Sequence, residues 1–332
     1  GDGDVATFAF PSGIAVGPPP EEDLYVADTI NHVIRKLTRP PAEGLPWTVS
    51  TVAGFGIAGF ADGIGPASLF SHPHGIELDS AGNIFVADTL NHRIRKITRA
   101  GEVSTFAGKG TPGTTDDLPL LSEFSSPYGL TVGADGTVFV ADRDSHRIRR
   151  IGTDPAAPED GVRVTTIAGD GPGFLNGFGT AALFTSPTGL AMDLDGGLVV
   201  ADQDNHAIRR LAKPIDQADP WTVSTVAGTG DHGFADGRAT SMEATFNYST
   251  GVHVTAAGDI LVADEQNHRL RRITYPLAID AQAAGQSPDG LMFSADLDIA
   301  SLGLRPDVVY YVRWIAADGS SQILGESFSI VP

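Results

Sequence analysis

Residues 84–98 read IFVADTLNHRIRKIT, an apolar run that ends in a dense group of polar and charged side chains. An aspartate, an asparagine, a histidine and two arginines fall within residues 88–95. Taken alone, such a group fits a metal site, a catalytic corner or a basic patch. The rest of the chain bears on this choice, because the same stretch occurs five times.

The repeated stretch has a fixed context in all five copies. A short apolar segment with a glycine precedes each copy, and these glycines recur at intervals of 62, 54, 60 and 62 residues. The copies are LYVADTINHVIRKLT (24–38), IFVADTLNHRIRKIT (84–98), VFVADRDSHRIRRIG (138–152), LVVADQDNHAIRRLA (198–212) and ILVADEQNHRLRRIT (260–274). The unit of this chain is therefore about 60 residues long.

Four of the copies are followed by one more short β-type segment: TVSTVAG (48–54), EVSTFAG (102–108), RVTTIAG (163–169) and TVSTVAG (222–228). The order is strand, turn, strand, turn, strand, loop, strand, and no segment keeps a helical period. Four-stranded sheets that repeat at this period are typical of a β-propeller. A closed ring of sheets also removes the exposed strand edges that an open stack would leave.

The motif NHRIRKI, with VAD before it and P-x-G-I further upstream, resembles the NHL repeat. The resemblance covers residues 8–274 and implies an all-β propeller of six blades, of which five are recognisable here. Members of that family mostly bind partners, and some relatives are enzymes. These properties are expectations from the resemblance.

The repeated polar residues favour a structural role over a chemical one. Asp and Asn accept backbone N–H groups in tight turns, and the Arg fork can reach the Asp of its own repeat. A catalytic or metal site needs one constellation, whereas these residues occur in every repeat. We therefore predict a ring of structural Asp–Arg pairs and structural histidines, made of Asp28, Asp88, Asp142, Asp202, Asp264, His32, His92, His146, His206, His268, Arg35, Arg95, Arg149, Arg209 and Arg271.

A second repeat lies in the loops between units, as in GFGIAGFADGIGPASLF (54–70). Its aromatic residues are predicted to fill the boundaries between blades: Phe60, Phe174 and Phe234. Its carboxylates are a candidate calcium site, because calcium favours flexible loops rich in carboxylate and carbonyl oxygens. These are Asp62, Asp116, Asp117 and Asp236. Solvated turn aspartates are the alternative, and otherwise no cofactor is expected.

The symmetry breaks at a few positions of the first strand of each unit. Glu77 and His253 occupy one equivalent position, where the other units have Ala or Thr, and His74 lies near the start of the second unit. Both first strands are expected to line a central channel. Lyases and lactonases of propeller fold hold metals at that place, so Glu77, His253 and His74 are candidate metal ligands. A polar, water-filled channel is the alternative.

The overall composition excludes several classes of function. The net charge is −19, which disfavours nucleic acid and anionic membrane surfaces. The absence of cysteine excludes disulfides, cysteine-based zinc sites and a thiol nucleophile. The sequence has no run of 18 apolar residues, so no membrane span is expected. Asn247 begins an N-x-S sequon and is a glycosylation candidate.

The C-terminal residues depart from the repeat. Residues 1–275 are assigned to the propeller, 276–290 to a linker and 291–332 to a C-terminal β segment. That segment resembles the last strands of a fibronectin type III or immunoglobulin-like sandwich. It forms either an atypical sixth blade, part of such a sandwich domain, or a set of strands completed by another copy.

The sequence thus favours a protein-interaction or structural module, with protein partners or self-association, in an extracellular or cell-surface assembly. Rigid blades display loops, and loops on a fixed scaffold usually carry binding. The alternative is a metal-dependent propeller enzyme of the lyase or lactonase type, with its site in the channel.

Overall fold

The structure is a computed structural model of the 332-residue chain. It describes residues 6–20, 22–42, 44–153, 161–214, 219–237, 243–274, 309–315 and 321–329, the last two ranges as backbone only. The described residues form an all-β, five-bladed propeller, which confirms the predicted fold class. Each blade is an antiparallel sheet whose strands follow chain order.

The first two blades contain the first nine strands. Blade 1 consists of β1 (Pro11–Val16), β2 (Leu24–Asp28), β3 (Val33–Thr38) and β4 (Thr48–Ala53). Blade 2 consists of β6 (Pro73–Leu78), β7 (Ile84–Asp88), β8 (Arg93–Ile97) and β9 (Glu102–Ala107), and the short β5 (Gly63–Ile64) pairs with the outer edge of β9.

The other blades repeat the same order. Blade 3 consists of β10 (Pro127–Val132), β11 (Val138–Asp142), β12 (Arg147–Thr153) and β13 (Val162–Ala168). Blade 4 consists of β15 (Pro187–Met192), β16 (Leu198–Asp202), β17 (Ala207–Ala212) and β18 (Thr222–Ala227), with the short β14 (Gly177–Phe178) outside β18. Blade 5 has three described strands: β19 (Ser249–Val254), β20 (Ile260–Asp264) and β21 (Arg269–Ile273).

Short 3-10 turns lie between the strands. Four of them join the second and third strands of blades 2 to 5: Thr89–Asn91, Arg143–Ser145, Gln203–Asn205 and Glu265–Asn267. Two others lie in the loops that connect blades, at Gly65–Ala67 and Gly179–Ala181. The antiparallel order puts the turns between second and third strands, and the loops between blades, at one end of the propeller. We call this the histidine end.

The hydrophobic core lies between the blades. Four separate clusters of buried side chains occur, one at each boundary between consecutive blades. The first strands β1, β6, β10, β15 and β19 contact one another in this order and so surround the axis. Because a blade is covered on both faces, its second strand is apolar up to the aspartate that ends it, and every residue of β7, β11 and β16 is buried.

The aromatic side chains at the blade boundaries differ from the prediction. Phe60, Phe174 and Phe234 are 44%, 38% and 63% exposed, so the prediction that they fill the boundaries is wrong. The boundaries are filled by the phenylalanine that ends each connecting loop, which is at most 1% exposed, at Phe70, Phe124, Phe184 and Phe246. The three exposed rings instead lie against arginine guanidinium groups. The Phe60 ring centre, for example, is 3.8 Å from the Arg93 guanidinium carbon.

The C-terminal part is only partly described. The predicted linker at 276–290 lies outside the described residues. Within the predicted segment 291–332, the structure describes an antiparallel hairpin of β22 (Val309–Ile315) and β23 (Ser321–Ser329). The assignment of this segment to a sixth blade, to a sandwich domain or to a set of strands completed by another copy stays a prediction.

Candidate functional site

The repeated aspartate is the centre of a buried polar cluster in each of blades 2 to 5. In blade 2, Oδ1 of Asp88 accepts the Ser71 N–H at 2.7 Å, and Oδ2 accepts from Asn91 Nδ2 and Arg95 Nη1, each at 2.8 Å. The Asp88 and Arg95 side chains are both 0% exposed. The same ion pair joins Asp142 to Arg149 at 2.9 Å, Asp202 to Arg209 at 2.6 Å and Asp264 to Arg271 at 3.0 Å.

The arginine of each cluster also ties down the loop that precedes its blade. Nη2 of Arg95 donates to the Ala61 carbonyl at 2.9 Å and to Asp62 Oδ1 at 2.5 Å. Arg149 makes the equivalent contact to Asp116 at 2.7 Å, and Arg271 to Asp236 at 2.7 Å. Three of the four candidate calcium carboxylates therefore serve as anions for arginine. The fourth, Asp117, accepts the Leu118 N–H and lies 3.8 Å from Arg163.

Blade 1 keeps only part of this arrangement among the described residues. Asp28 accepts the Ala9 N–H at 2.8 Å and the Asn31 amide at 2.9 Å, as its counterparts do. The Arg35 guanidinium lies 5.6 Å from the centre of the Phe8 ring. The aspartate therefore holds the turn in blade 1 in the same way as in the other blades.

The repeated histidine connects each blade to the next. It ends the turn after the second strand in a left-handed conformation, with φ between 48° and 57°, which His tolerates better than most residues. In blades 1 to 4 its Nδ1 accepts a backbone N–H from the following blade. The bonds run from His72 N–H to His32 Nδ1 (3.2 Å), from Ser126 N–H to His92 Nδ1 (3.0 Å), from Ser186 N–H to His146 Nδ1 (3.0 Å) and from Tyr248 N–H to His206 Nδ1 (3.3 Å). The bond therefore crosses the blade boundary.

These contacts account chemically for most of the repeated polar groups. Burial lowers the pKa of His32, His92, His146 and His206 below the usual 6.5, which keeps their Nδ1 atoms available as acceptors. The fifth member, His268, has the same left-handed backbone at the end of blade 5.

A cleft of about 370 Å³ opens at the histidine end, around the axis. Two kinds of non-repeated position supply most of its walls. One is the residue between Pro and Gly in the first strands of blades 2 and 3, and the other is the residues directly after the repeated aspartate in blades 2 to 5. The side chains that distinguish it from the rest of the surface are His74, Tyr128, Arg143, Asp144, Gln203 and Glu265. They come from four blades, so the cleft exists only in the assembled propeller.

His74 and Tyr128 form the floor of this cleft. Their ring centres are 4.2 Å apart, with 32° between the planes. His74 Nδ1 lies 2.9 Å from the His72 carbonyl and 3.0 Å from the Thr89 hydroxyl. Because a carbonyl oxygen only accepts, Nδ1 carries the proton. Burial lowers the pKa of His74 to about 4, so the ring is neutral at pH 7 and Nε2 has its lone pair.

The rim of the cleft carries both charges. The Arg143 guanidinium lies 5.6 Å from the Tyr128 ring centre, 3.7 Å from Asp144, and Nη2 lies 3.5 Å from Gln203 Oε1. Burial raises the pKa of the Tyr128 hydroxyl, and Glu265 across the cleft adds to this shift. The cleft therefore offers a cation, carboxylates and an uncharged aromatic floor to a ligand with several polar groups.

Only one of the three candidate metal ligands lies in the cleft. Glu77 belongs to β6, where its Oε1 accepts the Leu78 N–H at 3.0 Å and burial raises its pKa. His253 is an exposed residue of β19, three blades further along the ring. Within the described ranges, no three His, Asp or Glu side chains lie close enough to share a metal ion. Glu77, His253 and His74 are thus not brought together there.

The glycosylation candidate lies at the start of blade 5. Asn247 is partly buried, and it donates its backbone N–H to Asp264 at 2.7 Å. Its modification remains a prediction.

The sequence prediction missed Tyr128, Arg143, Gln203 and Glu265. The signal for them was present in the aligned repeats. The residue between Pro and Gly is Ser, His, Tyr or Thr, and the residue after the repeated aspartate is Thr, Arg, Gln or Glu. Variation at two positions that meet at one end of the ring marks the cleft.

Comparison with known proteins supports the repeat assignment. The NHL repeat model matches residues 70–97 and 124–151. Human NHL repeat-containing protein 2 is 28% identical over 303 residues, which is 80% of this chain and 39% of that protein. The chloroplastic protein Suppressor of quenching 1 of Arabidopsis thaliana is 36% identical over 152 residues, 44% of this chain and 14% of that protein.

A third relative is an enzyme, and a solved structure shows the same fold. Peptidyl-alpha-hydroxyglycine alpha-amidating lyase 1 of Drosophila melanogaster is 28% identical over 145 residues, 43% of this chain and 25% of that protein. The chain spans less than half the length of each of these three relatives. An auxiliary nutrient binding protein from Bacteroides ovatus superimposes with a TM-score of 0.59 at 18% identity, covering 81% of this chain and 60% of that one.

No helix among the described residues has the length and apolar character that a membrane crossing requires. The two matched segments each contain the second and third strands of a blade together with the polar cluster described above. The chain therefore contains NHL repeats, at residues 70–97 and 124–151, and its described part is a five-bladed β-propeller.

Proposed function

We propose that this propeller is a protein-interaction module whose binding site is the cleft at the histidine end. One observation carries the proposal. The repeated polar residues are mostly bonded to their own or neighbouring blades, whereas several non-repeated ones, from four blades, meet in one cleft on the axis. A propeller that served only as a spacer would not require such a convergence of different side chains.

The chemistry of the cleft indicates the kind of partner. Arg143 can bind a carboxylate, Glu265 and Asp144 can bind a cation, and the His74–Tyr128 floor accepts a flat or apolar group. A polar loop or chain terminus of a partner protein offers these groups together. Leu90, which lines the cleft and is 52% exposed, extends the apolar area available to it.

Site-specific photo-crosslinking tests the proposal. A benzophenone amino acid at Leu90, which is 52% exposed in the cleft, is expected to capture a partner, and Arg143→Ala with Glu265→Gln is expected to abolish that capture. The matched control is the same probe at Leu194, 39% exposed in the turn between β15 and β16 at the opposite end. Equal capture from both positions, or capture that survives the double substitution, contradicts the proposal.

The second candidate is a metal-dependent enzyme of the lyase or lactonase type at the same cleft. It is favoured by the neutral His74, whose Nε2 can ligate a metal or accept a proton, and by the likeness to an amidating lyase over 145 residues. Metal analysis of the purified chain distinguishes the two functions. Stoichiometric zinc, calcium or iron that is lost in His74→Ala would replace the first proposal by the second.

We also infer a place of action outside the cytoplasm, in an extracellular or cell-surface assembly. The acidic composition and the lack of cysteine are compatible with such a place. Cell fractionation combined with protease accessibility of intact cells tests this part separately. Recovery in the cytoplasm would contradict it and leave the cleft proposal intact.

A further inference from the structure

The glycine in the first strand of each blade marks a close approach of two backbones. A Cβ at Gly75 would collide with the Tyr128 carbonyl of the next first strand, and one at Gly129 with the Thr188 carbonyl. Gly13 and Gly189 meet the following strand in the same way. At Gly251 in blade 5, the nearest contact of a Cβ among the described residues is the Ala263 side chain at 3.4 Å, which is ordinary contact. No described neighbour therefore explains why position 251 is a glycine.

The outer face of blade 5 exposes positions that are otherwise buried. Leu270 is 87% exposed, and Leu261 is 40% exposed. The residues equivalent to Leu270 are Ile34, Ile94, Ile148 and Ile208, all 0% exposed. Those equivalent to Leu261 in blades 2 to 4 are Phe85, Phe139 and Val199, at 3%, 6% and 0%.

The other side of the opening is the face of β1 in blade 1. Ile14 is 63% exposed, whereas its equivalents Ile76, Leu130 and Leu190 are between 4% and 7% exposed. Two apolar faces of blade size are thus exposed on either side of one opening in the ring. An exposed apolar sheet face of this kind is expected to be covered by another sheet.

The hairpin β22–β23 has the spacing of the missing strands. The first strands start at residues 11, 73, 127, 187 and 249, and β22 starts at 309, which is 60 residues after β19. In blades 2 to 5, the first and second strands form a hairpin whose last paired residues, next to the turn, are six positions apart. These pairs are Leu78–Ile84, Val132–Val138, Met192–Leu198 and Val254–Ile260. In the C-terminal hairpin the last pair is Ile315–Ser321, with the same separation of six.

We propose that β22 and β23 are the first and second strands of a sixth blade that occupies this opening. β22 packs its backbone against Gly251, as each first strand packs against the glycine before it, and covers Leu261 on β20. Its other face covers Ile14 on β1. The strand order and hairpin length continue the interface that already exists four times in the chain, which favours this segment over a second copy. The inference does not depend on the proposed function of the cleft.

Two alanine substitutions in the full chain test the packing. Gly251→Ala should lower Tm by several degrees, as Gly189→Ala should, because both would push two strand backbones apart. Gly251 has no positive φ, so alanine is harmless there when nothing packs against it. A Tm of Gly251→Ala equal to that of the unsubstituted chain would overturn the proposal.

Hydrogen–deuterium exchange identifies the segment. Amides of residues 309–315 should be protected in the unsubstituted chain and should exchange at least several-fold faster in Gly251→Ala, while β10 in blade 3 stays unchanged. The protection should be the same at high and low protein concentration, and the chain should sediment as one copy. Protection that rises with concentration would assign the opening to a second copy instead, and unprotected 309–315 amides would exclude the hairpin.

Discussion

Ser126 donates its backbone N–H to Nδ1 of His92, 3.0 Å away, across the boundary between blades 2 and 3. The same bond joins the other described pairs of consecutive blades, at His32, His146 and His206. A protonated ring cannot accept at Nδ1, so each bond requires the neutral histidine. The boundaries between blades therefore depend on pH.

The sign of this dependence follows from the lowered pKa of these histidines. The folded state favours the neutral ring, so the contribution to stability is complete above the unfolded value of 6.5. It is lost as the pH falls from 6.5 towards the lowered pKa of the folded state. We expect the part of the free energy of unfolding in urea that these bonds supply to fall between pH 7 and pH 5, by about 0.5–1.5 kcal/mol for each bond lost. Burial raises the pKa of Asp142 and Asp202 to about 6, which acts in the opposite sense over the same range, so the contribution of a bond is measured as the difference between two variants.

His92→Asn isolates one of these bonds. Asparagine tolerates the left-handed conformation and does not titrate, so the variant should lose stability less steeply between pH 7 and pH 5. His253→Asn, on an exposed strand position, is the matched control and should keep the original slope. Identical slopes in all three proteins would show that the bonds across the boundaries do not carry the pH dependence.

The pair of Asp142 and Arg149 gives a second prediction. Both side chains are 0% exposed, so Asp142→Ala leaves a buried guanidinium with the half-exposed Asp116 as its remaining anion. We expect a loss of about 3–5 kcal/mol in the free energy of unfolding. Asp144→Ala, two residues away at a half-exposed carboxylate, should change it by less than about 0.5 kcal/mol. An Asp142→Ala protein as stable as the Asp144→Ala protein would remove the structural role assigned to the repeat.

Two of the phenylalanines in one loop, Phe174 and Phe184, give a third prediction. Phe184 is 0% exposed between blades 3 and 4, and Phe174 is 38% exposed over Arg209. Phe184→Ala should therefore cost about 3–5 kcal/mol, and Phe174→Ala about 1 kcal/mol or less. Thermal unfolding of the two variants side by side checks this. A larger loss for Phe174→Ala would restore the assignment made from the sequence.

The repeat made the fold predictable. The spacing of Asp142, His146 and Arg149 recurs in five units, and such repetition with four β segments in a unit is typical of a ring of equivalent sheets. The error about Phe174 has a physical reason. Both phenylalanines lie in one glycine-rich loop, and the choice of the buried ring depends on where the Arg209 fork anchors that loop.

The cleft was less predictable. Glu77 and His253 draw attention because they are ionisable in strands where alanine and threonine are usual. Arg143 and Glu265 instead replace one another at a turn position that looks tolerant of any polar residue. Their convergence depends on the radial position of that turn, which becomes visible only when the blades are assembled.

The His74 ring gives the last prediction, which concerns the cleft directly. Burial against Tyr128 is the main reason why the pKa of His74 falls to about 4, so exposing the ring should raise it. In long-range proton–nitrogen NMR spectra, His74 should stay neutral from pH 8 to pH 5.5, with the proton on Nδ1. In Tyr128→Ala its titration should move towards 6.5. Thr131→Ala, on the same strand but outside the cleft, should leave it unchanged. A midpoint near 6.5 in the unsubstituted chain would mean that water reaches the ring freely, and the floor of the cleft would then be a charged group at mildly acidic pH instead of an uncharged one.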